Sequence, residues 1–244
     1  MEGKEIIDQL AGNRYPGRGI LAGKSPDGKK VLMAYFIMGR SQNSRNRIFV
    51  KEGDDLFTKP FDPSAVEDPS LIIYRAVHQD KDYALLTNGD QTDTVLQALS
   101  QKKSFEEALR SRTFEPDAPN FTPRISLLVE DFSRQPTFRF SILKACDSEG
   151  LACSRSFFEY PAQAGVGHLI HTYEGDGSPL PSFLGEPRLL TIKAGTCEEL
   201  LDTVWQALDS QNRISLYVAS RDLESGRLEE KNRNARQEEE GRFQ

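Results

Sequence analysis

The grouping of strand-like and helix-like segments constrains this chain more than any single motif. Apolar runs rich in β-branched and aromatic residues come in blocks, with helical patterns between the blocks. A short helix is expected at Ile6 to Leu10, stopped by Gly12, Pro16 and Gly17. Gly19 to Ala22 and Val31 to Met38 flank Ser25-Pro26-Asp27-Gly28, a turn sequence that makes them a hairpin. Leu71 to His78 and Tyr83 to Leu86, separated by Gln79 to Asp82, form a second. Val95, Leu96, Ala98 and Leu99 recur at helical spacing within Thr92 to Gln101, and Ser104 with Glu106 and Glu107 opens another helix. A second block of strands is expected at Arg124 to Glu130, Thr137 to Ala145, Leu151 to Tyr160, Val166 to Tyr173 and Arg188 to Lys193. Thr196 and Glu199 form a capping box for a helix through Leu208, whose Leu200, Leu201, Val204, Trp205 and Leu208 make an apolar stripe. A last strand covers Ile214 to Ala219.

This order is not the alternation of a parallel α/β fold. Blocks of strands need cover on both faces, which predicts an α+β protein with two stacked sheets flanked by helices. One domain is expected over 1–221. From 222 to 244 the chain is highly charged with few apolar anchors, the pattern of a solvated helix or tail.

With 37% hydrophobic and 28% charged residues, a chain of 244 can bury a sizeable core. Its formal net charge of -6 disfavours nucleic acid and anionic membrane surfaces as partners. The longest apolar run, Val31 to Met38, is far short of the ~20 residues of a membrane helix. The first residues, Met1 to Glu5, lack the apolar region of a signal peptide, so a cytoplasmic location is expected. Cys146, Cys153 and Cys197 show no C-x-x-C spacing and read as buried free thiols.

Three constellations could carry chemistry. Ala34 to Val50 begins as a buried strand and ends with Arg40, Ser41, Asn43, Ser44, Arg45 and Arg47. Guanidinium groups grip phosphate bidentately and hydroxyls add donors, so the cluster suits a small phosphate ester; a solvated loop with surface salt bridges has the same composition. Asn88-Gly89 ends a strand, and Asp90, Thr92 and Asp93 lead into a helix, either as an anion or ligand site or as plain capping. Pro116, Pro119 and Pro123 stiffen a segment carrying Glu115, Asp117, Asn120 and Thr122 towards Arg124; a fixed carboxylate there is a candidate acid or base, or an ordinary surface group. Neither a P-loop nor a G-x-S-x-G elbow occurs, and Gly165-Val166-Gly167 precedes strand-like sequence. His168 and His171, three apart in a strand, would face opposite sides, so no metal pair is expected.

Taken in order, these pieces resemble the archaeal-type IMP cyclohydrolases. The resemblance rests on Tyr15-x-Gly17-Arg18 with Gly23-Lys24, Ala34-Tyr35 with Arg40-Ser41 and Arg45, Tyr74, Asn88-Gly89 with Thr92-Asp93, Phe114-Glu115 with Asp117, and Thr122-Pro123-Arg124-Ile125. A weaker match runs through Gly165-x-Gly167 and Tyr173 to the final helix. The chain departs from the pattern at Phe36, where an arginine is usual, and at Phe114, which replaces a tyrosine.

The resemblance implies a four-layer α-β-β-α sandwich like that of N-terminal-nucleophile hydrolases, a purine-nucleotide substrate and a possible homo-oligomer. It implies closure of 5-formamidoimidazole-4-carboxamide ribotide to IMP and water, the last step of purine synthesis. That closure is intramolecular: it needs a held conformer, a polarised formyl oxygen and proton transfer, and neither cofactor nor covalent nucleophile. Tyr35, Tyr74, Glu115 and Arg124 are then expected to act in proton transfer and oxyanion stabilisation. Arg18, Arg40, Ser41, Arg45, Asn88, Gly89, Asp93, Asp117 and Thr122 are expected to bind substrate. Two alternatives stay open at this point: a purine-nucleotide-binding protein with altered or lost chemistry, and an N-terminal-nucleophile amidohydrolase. The second needs a processed Ser, Thr or Cys terminus, whereas Met1 here precedes Glu2.

Overall fold

The computed structural model describes residues 3–66 and 72–237. In chain order these form β1 (Lys4–Glu5), α1 (Ile6–Leu10), β2 (Arg18–Lys24), β3 (Lys30–Met38), α2 (Gln42–Arg45), β4 (Ile48–Glu52) and β5 (Asp55–Lys59). After a 3-10 turn at Pro63–Ala65 come β6 (Tyr74–Gln79), β7 (Ala84–Thr87), α3 (Gln91–Ser100), α4 (Phe105–Leu109), β8 (Arg124–Glu130), β9 (Thr137–Ala145) and β10 (Cys153–Pro161). The chain continues through β11 (Val166–His171), β12 (Arg188–Thr191), α5 (Cys197–Ala207), β13 (Arg213–Asp222) and β14 (Leu228–Asn234).

The strands make two seven-stranded sheets, ordered β1-β12-β11-β2-β3-β13-β14 and β10-β9-β8-β7-β6-β5-β4. Both expected hairpins are present as antiparallel pairs, β2 with β3 and β6 with β7. Leu71, the expected start of the second hairpin, lies outside the described residues.

Side-chain alternation builds the layers. Along β3, Val31, Met33, Tyr35 and Ile37 enter a core shared with Leu86, Ile125 and Leu127 of the second sheet. Leu32, Ala34, Phe36 and Met38 point the other way, into a core with Ile6 and Leu10 of α1 and Leu200, Leu201, Val204 and Trp205 of α5. On the far face of the second sheet, Leu85, Leu128 and Leu143 pack against Val95 of α3 and Phe105 and Leu109 of α4. The α+β class with two sheets therefore holds.

Three expectations are corrected. The charged stretch after residue 221 is not a solvated helix or tail up to Asn234: β13 runs on to Asp222, and β14 pairs with it antiparallel. Backbone pairing and the ion pairs Lys231–Glu198 and Arg233–Asp202 to α5 hold this edge strand, so it needs few apolar anchors. The second correction is β4 with β5, a hairpin hidden by the lysines and acids interspersed among its apolar residues. Third, of the three cysteines only Cys197 is buried; Cys146 is exposed and Cys153 half-buried.

The capping box of α5 is half made. Thr196 accepts from the Glu199 amide at 3.2 Å, but the Glu199 carboxylate takes the amide of Gly195 instead, at 2.7 Å.

Candidate active site

A cleft of about 330 Å3 opens where the start of β2, the end of β3, α2 and the 115–122 segment converge. Its base is built on Arg18. The Gly17 that precedes it has φ +76, and a Cβ there would lie 2.2 Å from the Thr172 hydroxyl, so only glycine lets the chain enter β2 this close to its neighbour. The Arg18 amide donates to that same hydroxyl at 3.1 Å. Its guanidinium donates through both Nη atoms to the two Glu115 oxygens, each at 2.8 Å, and through Nη1 to the Asn88 carbonyl at 3.0 Å. Both partners are buried. Burial by itself works against the charge on Arg18, but Glu115 and the phenols of Tyr74 and Tyr35 outweigh it and push its pKa further up. The cleft thus holds a bidentate ion pair at its floor.

The proline-stiffened segment sets Glu115 in place. Its amide donates to the Thr122 carbonyl at 2.9 Å, and Asp117 accepts from the Thr122 amide at 2.7 Å and from the Thr122 hydroxyl. That hydroxyl also meets the Tyr173 phenol. Burial raises the Tyr173 pKa, so the phenol stays protonated at neutral pH.

Behind the floor, Tyr35 of β3 and Tyr74 of β6 join hydroxyls at 2.8 Å across the two sheets. Burial, and then the neighbouring Tyr74, push the Tyr35 pKa well up. The Tyr35 phenol therefore keeps its proton, in a hydrogen-bonded pair with Tyr74 close to the Arg18 charge.

The rim is different. Ser41 caps α2: its hydroxyl accepts from the Ser44 amide at 3.1 Å, and the Ser44 hydroxyl accepts from the Ser41 amide at 3.0 Å. Arg40 lies over the Tyr15 ring, 4.8 Å from its centroid, and is held outward by Asp176 and by the Gly177 carbonyl at 3.2 Å. Arg47 is buried, donating to the carbonyls of Ser44 at 2.8 Å and Met38 at 3.0 Å.

Of the residues singled out in the sequence, Arg18, Arg40, Ser41, Glu115, Asp117 and Thr122 line the cleft together. Tyr35 and Tyr74 stand behind it. The others do not line it. Asn88 spends its side chain on the frame, donating to the Pro123 carbonyl at 2.8 Å and accepting from the Ile125 amide at 2.8 Å and from Gln91 at 3.0 Å. Gly89 gives room to Arg124, whose Nη1 would lie 2.3 Å from a Cβ there. Arg124 donates to Gln91 at 2.8 Å and pairs with Asp90 at 2.7 Å. Asp90 also meets Arg112 at 2.5 Å and makes no side-chain cap for α3. Asp93 is 67% exposed and faces Arg75 at 3.5 Å. Arg45 points away, to Asn212 at 3.3 Å.

The two departures from the family pattern also fall outside the cleft lining. Phe36 alternates with Tyr35 and belongs to the helix-covered face, and Phe114 packs edge-on against Phe121 at 5.4 Å. Conversely, Tyr15 and Tyr173 line the cleft without having been assigned a role, as do Arg47 and Asn120, which stood in the arginine cluster and the proline-stiffened segment. Tyr15 and Tyr173 stack at 5.9 Å. Both stood in the resembling pieces, and their pairing across 157 intervening positions is what a sequence does not display.

Buried arginine and carboxylate, the protonated phenol of Tyr173 and an arginine at the rim give this α+β protein a cleft suited to a small anionic ligand. The chain belongs to the IMP cyclohydrolase-like family, whose model matches residues 15–226. It is similar to the IMP cyclohydrolase of Methanopyrus kandleri, 33% identical over 181 residues, covering 69% of this chain and 89% of that protein. The IMP cyclohydrolase of Methanothrix thermoacetophila is 35% identical over 81 residues, 33% of this chain and 39% of that protein.

Proposed function

We propose that this chain is an IMP cyclohydrolase, closing 5-formamidoimidazole-4-carboxamide ribotide to IMP with release of water. The observation that carries the reading is the bidentate Arg18–Glu115 pair on the floor of a cleft with a cationic rim, in a chain of this family.

In the reaction the carboxamide nitrogen attacks the formyl carbon, forming the ring C–N bond and turning the formyl oxygen into a hydroxyl; that hydroxyl leaves as water as the ring double bond forms. Charge develops on the formyl oxygen in the first step, and Arg18 is the fixed cation aimed at it. Tyr173, the protonated phenol that lines the cleft, supplies a proton to that oxygen while the Tyr74–Tyr35 pair behind the floor supports the Arg18 charge, and Glu115 accepts a proton from the attacking nitrogen. Arg40 exchanges Asp176 for the 5′-phosphate, with Ser41 as a further donor. Asp117 and Thr122 orient the ribotide. Asn88, Gly89 and Arg124 act through Arg18 and the start of β8 as positioning residues, and Arg45 and Asp93 have no part in the cleft.

We also propose that the layers form an α-β-β-α sandwich of the N-terminal-nucleophile-hydrolase type, and that one catalytic domain extends through β14. The apolar cores on both faces of each sheet support the first, and the pairing of β14 with β13 the second. No helix among the described residues is long and apolar enough to cross a membrane.

The test is a continuous ultraviolet assay of the purified chain with the formamido ribotide. IMP formation that is weakened in Arg40→Ala supports the reading. A folded parent that forms no IMP contradicts it.

A further inference from the structure

Of the three arginines near α2, Arg45 does not serve the cleft. It forms part of a second cavity of about 340 Å3, walled by Arg45, Ser210, Gln211, Arg213, Ile214, Ala235 and Arg236. Among the described residues, three guanidinium groups and no carboxylate line it, in a chain whose formal net charge is -6. Such a local inversion of sign concentrates small anions.

Among the described residues, Arg45 and Arg236 keep donors to spare. A guanidinium carries five N–H groups. Arg45 directs two towards oxygen acceptors, the Arg40 carbonyl at 3.5 Å and Asn212 at 3.3 Å, both long contacts. Arg236 rests 5.6 Å from the Phe61 ring, and neither it nor Arg45 has a carboxylate partner among the described residues. Arg213 is the anchored member: Nη1 donates to the Trp205 carbonyl at 2.6 Å, and its guanidinium stacks 4.5 Å from the indole centroid. One rigid cation flanked by two adaptable ones, with the Ser210 hydroxyl alongside, matches the several acceptor oxygens of a phosphate group.

We propose that this cavity is a second binding site, distinct from the cleft, for a small phosphate-bearing anion, either inorganic phosphate or the phosphate of a free nucleotide. The four-residue helix α2 is the wall between the two sites: Ser41, Asn43 and Ser44 line the cleft, and Arg45 lines the cavity. The sequence cluster of arginines is thus divided between two anion sites. This inference goes beyond the cyclohydrolase reading and stands without it.

Trp205 is the chain's one tryptophan and touches Arg213, so its fluorescence reports on this cavity rather than on the cleft. Inorganic phosphate, and separately AMP, would be titrated at constant ionic strength into the parent, Arg40→Ala and Arg45→Gln/Arg236→Gln, by fluorescence and by calorimetry. Circular dichroism would establish that each variant is folded. The expected result is saturable binding in the parent that persists in Arg40→Ala and weakens at least tenfold in the double variant. Tighter binding of AMP than of phosphate identifies a nucleotide site; equal or weaker binding identifies free phosphate. Absence of saturable binding by both methods in the parent, or equal affinity in the parent and the double variant, would overturn the proposal.

Discussion

The floor and the rim of the cleft use the same side chains in opposite ways. On the floor, Arg18 is 7% exposed and Glu115 5%, and their four facing atoms are committed to each other. At the rim, the side chains of Arg40 and Asp176 are 38% and 49% exposed, and their ion pair stands in water. A buried pair of charges is expensive to form and ruinous to halve, whereas an exposed pair is cheap and exchangeable. The floor is therefore suited to holding one geometry while charge develops, and the rim to letting a phosphate in and out. If that division holds, floor variants should damage stability and turnover, and rim variants apparent affinity.

The largest effect is expected from halving the floor pair. Glu115→Ala leaves the Arg18 charge buried without its partner and should cost about 3–5 kcal/mol of unfolding free energy, read by urea denaturation. Replacing both, as Arg18→Met with Glu115→Met, should restore most of that stability while IMP formation stays lost. Glu115→Gln is a poorer probe of proton transfer than the sequence suggests, because its amide would turn a donor towards Arg18.

Next comes the dependence on pH just behind the floor. Burial holds the pKa of His171 at about 4, below its ordinary 6.5, with its Nδ1 bonded to the Tyr173 carbonyl at 2.9 Å. Between those values the unfolded chain binds a proton that the folded one refuses, so stability should fall as pH drops from about 6.5 towards 4 and level off below. The contribution is on the order of 3 kcal/mol. Burial sets His168 likewise at about 4, so His171→Gln should remove part of the slope and not all of it.

Smaller effects separate chemistry from binding. Tyr74→Phe leaves the Tyr35 hydroxyl without its partner close to the Arg18 charge and should lower kcat about 10²-fold with little change in KM. Arg40→Ala should raise KM about tenfold and leave kcat near the parent value. Smallest is Asp176→Asn, which releases Arg40 from its resting partner and should lower KM by less than about threefold.

The fold was legible wherever burial follows the period of the element. α1, β8 and β9 begin and end where the apolar pattern predicts, because each presents one or both faces to a core. β14 was not, since an edge strand held by backbone pairing and surface ion pairs has the composition of a tail. In the site, Arg18, Glu115, Asp117 and Thr122 stood out through the family resemblance, and the structure brings them within one hydrogen-bonded group. Asn88 and Arg124 stood out equally, yet they serve the frame, because composition cannot tell a donor aimed at ligand from one aimed at the Pro123 carbonyl or at Gln91. Ser44 and Arg45 are joined by one peptide bond, yet one lines the cleft and the other the second cavity, a distinction only three dimensions supply.

The most direct test of the division between floor and rim is steady-state IMP formation by the parent, Tyr74→Phe and Arg40→Ala, measured side by side over a range of ribotide concentrations. The account predicts that Tyr74→Phe loses kcat at nearly constant KM while Arg40→Ala loses affinity at nearly constant kcat. Both variants moving the same parameter, or a parent that forms no IMP, would contradict it.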